Sequence, residues 1–125
     1  MSEACSRNDL VERDVSWLLW RVPMLGFIVG AFVTPPARLL LWVPAFAVAG
    51  VSCLVNARRC GRFHCFMTGP LYLLAAVATV AAVPWGWIAF GVVGGTIAAY
   101  ALEYGRGKYR TVTNGPFAWT GLTSR

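Results

Sequence analysis

LLLWVPAFAVAGVSCLV, residues 39–55, carries no charge over seventeen positions, and NARRCGRFHC, residues 56–65, follows it with three arginines, one histidine and two cysteines. A helix needs about 17 to 20 apolar residues to cross a hydrocarbon layer roughly 30 Å thick, so the first segment reads as a membrane span. The second reads as the place where the chain leaves the lipid and turns back. A third cysteine, Cys53, lies inside the apolar run just ahead of that turn.

Working outward, three further runs approach the same length: 15–33, which contains Arg21, and the uncharged 66–83 and 85–102. The whole chain of 125 residues is 58% hydrophobic and only 13% charged, too apolar for a water-soluble domain whose surface must carry polar groups. Thr34-Pro35-Pro36-Ala37-Arg38 cannot continue a helix, because consecutive prolines remove donors and push the preceding residue out of the helical region. Pro84, with Trp85 and Trp87 at interfacial depth, gives a second tight connection. These signals predict an all-α membrane protein with four transmembrane helices, 15–33, 39–55, 66–83 and 85–102, arranged as two hairpins. Residues 1–14 form an N-terminal segment whose Glu3, Asp9, Glu12 and Asp14 are unlike the positive start of a cleaved signal peptide. Residues 103–125 read as a basic tail with turn chemistry at Asn114-Gly115-Pro116.

The formal charge of +6 is not a nucleic-acid footprint, because the cations cluster at the ends of the apolar runs. Arg58, Arg59 and Arg62 lie between runs two and three, and Arg106, Lys108 and Arg110 follow run four, against Arg38 alone on the opposite side. The excess of positive charge in cytoplasmic loops therefore predicts a multi-pass protein of the cell membrane with both termini and the cysteine loop facing the cytoplasm. Thiols there stay reduced, which leaves Cys5, Cys53, Cys60 and Cys65 free.

Several features leave alternatives open. Arg21 either snorkels to the interface or lines a polar interior. Pro23 and Pro44 fall within runs, and Gly69-Pro70 allows run three to begin as late as Pro70, with 64–69 as irregular backbone. Gly26 with Gly30, and Gly91 with Gly95, are spaced for close helix packing, either of helix one on helix four or in a homo-oligomer.

Sulfur and imidazole suit soft or borderline metal ions. Cys60, His64 and Cys65 form the most compact set, with Gly61 to relax the backbone, and Cys53 lies seven residues before Cys60, about 11 Å along a helix. The paired short spacings of a structural zinc site are absent. Each residue also has a plainer reading: Cys53 as a small packing group, His64 as an interfacial side chain, the arginines as topology determinants. Enzymatic chemistry is not indicated, since His64 is the sole histidine and Glu103 the sole acid beyond residue 14. Gly105-Arg106-Gly107-Lys108 lacks the spacing and hydroxyl of a phosphate loop.

A short chain of membrane helices with thiols at the cytoplasmic edge resembles the small transporters of bacterial mercury-resistance operons, residents of the inner membrane. The resemblance implies inward transport of Hg(II), or another soft metal ion, by thiolate exchange. Cys60 and Cys65 match the family's cytoplasmic cysteines, and a cytosolic thiol acceptor such as a mercuric reductase would receive the ion. The family's adjacent cysteine pair in helix one has no counterpart here. No permanently bound cofactor is implied. The competing expectation is a non-transporting membrane subunit that assembles with a larger partner. A thiol redox protein ranks behind both, for want of a C-x-x-C.

Overall fold

The chain from 17 to 106 is described by a computed structural model, and all its regular structure is helical. A π-helical turn, Trp17–Arg21, leads into α1, Val22–Phe32; α2 is Pro35–Cys60, α3 is Phe63–Val80 and α4 is Trp85–Arg106. α2, α3 and α4 are long and apolar enough to cross a membrane. The apolar helical stretch Leu18–Phe32 is shorter, about 22 Å at the usual rise. Run one, read as 15–33, thus yields a helix that falls short of the other three.

The prolines explain where the helices begin. Pro35 and Pro36 do break the chain, yet they do so by opening α2, because a missing N–H is harmless at the first helical positions. The break itself is only Val33 and Thr34. Pro23 likewise sits at the start of α1. Pro44 and Pro70 are tolerated inside α2 and α3.

The cysteine loop shrinks in the same way. Helix continues through Asn56-Ala57-Arg58-Arg59-Cys60, and the connection to α3 is Gly61 and Arg62 alone. Gly61 takes the left-handed conformation, φ 63°, and donates its N–H to the Ala57 carbonyl at 2.8 Å, a helix end that favours glycine. Residues 64–69 are regular helix, so α3 does not wait for Pro70 and no re-entrant segment forms. α3 stops at Val80 rather than 83, and Ala82, φ 55°, turns the chain before Pro84. α4 passes 102 and takes in Glu103, which composition assigns to the tail.

The helices pack in chain order, α1 on α2, α2 on α3 and α3 on α4, whereas α1 and α4 barely meet. The glycine pairs act accordingly. A Cβ on Gly30 would strike the Trp42 ring, and one on Gly26 would touch Ala45, so this pair seats α1 on α2. Gly95 is filled by Leu71 of α3, and Gly91 faces open space. Neither pair joins helix one to helix four.

At the end of the bundle formed by the α1–α2 turn, aromatic rings make the core. Phe27 and Trp42 stack with centroids 5.2 Å apart, and Trp42 meets Phe46 edge-on at 5.7 Å. Trp42 donates its indole N–H to the Phe27 carbonyl at 2.9 Å. Arg38 closes the C-terminus of α1, donating to the carbonyls of Gly30 at 2.9 Å and Val33 at 3.0 Å, so its charge complements the helix dipole. The outer surface is apolar: Phe32, Leu40, Leu74, Trp87 and Phe90 are all more than 60% exposed, a surface suited to lipid rather than water.

Candidate functional site

The opposite end of the bundle gathers polar side chains, and two glycines make the gathering possible. A Cβ on Gly50 would come within 2.8 Å of the Leu73 side chain, and one on Gly69 within 2.8 Å of Leu54. Small residues at both positions let α2 and α3 cross at near-backbone contact. Cys53 lies one turn beyond Gly50, and Thr68 directly precedes Gly69. The crossing therefore brings Cys53 Sγ to 3.2 Å from Thr68 Oγ1.

Cys65 arrives on the first turns of α3. Its side chain is fully buried and lies beside that of Cys53 across the helix pair. Asn56, also fully buried, donates its amide N–H to Cys65 Sγ at 3.5 Å, and His64 Nε2 lies 3.3 Å from the same sulfur. Thr68 donates its hydroxyl proton to the His64 carbonyl at 2.9 Å.

Glu103 completes the cluster from α4. Its Oε2 accepts the His64 backbone N–H at 2.9 Å and also bonds His64 Nδ1. Arg62, the residue before α3, offers that helix no side-chain cap, so the carboxylate of another helix satisfies an N-terminal donor in its place. The Arg62 guanidinium lies 3.6 Å from Oε1, an ion pair with both side chains about 10% exposed. The two ring nitrogens thus link the Glu103 carboxylate to the Cys65 sulfur through one imidazole. The His64 ring is fixed from its flat side as well, stacked on Tyr100 with centroids 4.3 Å apart.

A cavity of about 390 Å³ adjoins this cluster and reaches from Cys53, His64 and Tyr100 to Phe27, Phe46 and Val92. Its walls come from all four helices. It lies on the side where α1 and α4 fail to close.

Of the residues expected to bind an ion, Cys53, His64 and Cys65 are brought together. Cys60 is the last residue of α2, one step before the turn, and its side chain lies outside the described part of the structure, as does the whole of Cys5. Among the described residues no group of three or more His, Cys, Asp and Glu is disposed to hold one metal ion. The site as described is a pair of sulfurs supported by an imidazole and a carboxylate. Sequence reasoning missed Asn56, Thr68 and Glu103. The signal for Glu103 was present in its being the sole acid after residue 14, set against the end of an apolar run. Thr68 and Gly69 gave none, since their roles depend on what α2 presents to them. No protein-family model, no curated protein and no solved structure matches this chain.

Proposed function

We propose that this chain is a multi-pass protein of the cell membrane that carries a thiophilic ion, Hg(II) foremost, by exchange between thiols. The observation that carries the reading is the meeting of Cys53 and Cys65, two buried thiols from different helices, beside a cavity that runs on into the bundle. Two sulfurs suffice for a soft ion that accepts linear coordination, such as Hg(II) or Cu(I). Transfer is then a ligand exchange in which each sulfur–metal bond formed replaces one broken. Cys60, at the end of α2, is the natural next donor toward a cytosolic thiol acceptor such as a mercuric reductase. Leu18–Phe32 serves as a fourth, shorter span, and Arg58 and Arg59 hold the α2–α3 turn on the cytoplasmic side with both termini.

The test is uptake of labelled Hg(II) by cells expressing the wild type, the Cys53→Ser/Cys65→Ser double variant, or empty vector. Wild-type uptake above the vector, lost in the variant, is the expected result. Equal uptake in all three overturns the reading.

A second reading, a small subunit that assembles through α4 and transports nothing, draws on one observation. Gly91 and Gly94 have nothing within 4 Å of a Cβ built on them, and exposed Phe90, Val93 and Ile97 surround them. That reading predicts that Gly91→Leu abolishes a cross-linkable oligomer while the cysteine substitutions leave it intact.

A further inference from the structure

The cavity is apolar along most of its wall, with Met24, Phe27, Phe46, Val92, Val93 and Ile97 among its lining residues. Its polar groups do not balance. Trp20 is part of the wall, and its indole Nε1 is buried with no hydrogen-bond partner. An indole N–H can only donate, so what it lacks is an acceptor. A buried donor left without one is unfavourable, and a ligand oxygen would satisfy it. Arg21, the next residue, also lines the cavity and supplies a positive charge beside that donor. The volume, about 390 Å³, falls within the ordinary range of small-molecule sites, roughly 300–1,000 Å³. The side on which α1 and α4 do not close faces what the apolar surface marks as lipid.

We infer that the cavity holds the acyl chain of an anionic amphiphile, whose carboxylate or phosphate oxygens are received by the Trp20 N–H and Arg21. The chain lies along Met24, Phe27, Phe46, Val92 and Ile97, entering sideways between α1 and α4. A purely apolar occupant would leave the indole donor unmet, and a zwitterionic headgroup would bring a second positive charge against Arg21. The bound chain covers Cys53, which is part of the same wall. The inference is independent of metal transport, because the groups that receive the headgroup, Trp20 and Arg21, are not thiols.

The experiment is native mass spectrometry of the full chain in detergent, titrated separately with palmitate, phosphatidylglycerol and phosphatidylcholine. One equivalent of palmitate or phosphatidylglycerol is expected to be retained, at least tenfold more tightly than phosphatidylcholine. Preference for palmitate identifies a free fatty acid, and preference for phosphatidylglycerol a phospholipid. Trp20→Phe and Arg21→Gln each weaken retention at least fivefold. Val93→Trp, at a half-exposed position on the wall, plugs the site and abolishes it. Saturating ligand slows maleimide labelling of Cys53 in the wild type. Should Val93→Trp fail to fold, the other two variants decide. Equal retention of all three lipids, no retention of either anion, or wild-type affinity in both Trp20→Phe and Arg21→Gln overturns the inference. Cys53→Ser/Cys65→Ser retains the amphiphile, so loss of metal uptake and loss of this site are read separately.

Discussion

The two ends of the bundle bury polar groups for opposite ends. At the aromatic end, Arg38 and the Trp42 indole spend their donors on backbone carbonyls of α1, so polarity serves the helix termini and the rings do the packing. At the thiol end, Asn56, His64, Cys65 and Glu103 bond chiefly to one another across three helices, and packing yields to a polar cluster. A stability element tolerates any residue that caps and fills. A cluster of mutually bonded polar groups tolerates only residues that keep each partner satisfied.

Removing Glu103 tests that contrast most severely. Glu103→Ala leaves Arg62 and His64 buried without their carboxylate, and breaking a buried pair in this way costs about 3–5 kcal/mol. Thermal unfolding in detergent should show it as the largest loss of any single substitution at this end. A silent Glu103→Ala would mean that the thiol cluster does not hold the helices together.

Gly50→Ala comes next. Its Cβ must displace Leu73 at the α2–α3 crossing, at about 1–3 kcal/mol, and the effect should extend beyond stability. Separating the helices moves Cys53 from Cys65, so cross-linking of the two thiols by a short bifunctional reagent should fall even where the protein remains folded. Unchanged cross-linking would detach the site from the glycine crossing. At the aromatic end, Arg38→Gln removes charge-assisted bonds to the last carbonyls of α1 and should cost on the order of 1–2 kcal/mol, with thiol cross-linking unchanged. An effect of Arg38→Gln on the thiols would erase the division between the ends. Smallest is Cys53→Ala, which trades one weak hydrogen bond for a slightly smaller side chain. It should shift stability by less than about 1 kcal/mol while abolishing cross-linking.

The sequence made the helical class and three of the long apolar stretches legible, because unbroken runs of 17 or more apolar residues have few alternatives. It misplaced the boundaries for a consistent reason. Pro35 and Pro36 signal a break and Pro70 allows a late start, yet proline at a helix start, or inside one held by neighbours, is compatible with helix. The arginines at 58, 59 and 62 predict a long loop, although charge at the end of a helix lies as well on helical backbone as off it, and the helix runs through Cys60. Cys53, His64 and Cys65 were legible from their chemistry alone. Asn56, Thr68 and Glu103 were not, because each matters through a partner 9 to 39 residues away, and no local pattern records which helix faces which.

The carboxylate that fixes His64 stands 39 positions further along the chain, near the end of the last helix. During synthesis α2 and α3 therefore emerge before the carboxylate that bonds His64 has been made. Only when α4 has been made does Glu103 arrive to order the imidazole against Cys65. A chain truncated before residue 103 is therefore expected to lack the carboxylate that orients the His64 ring.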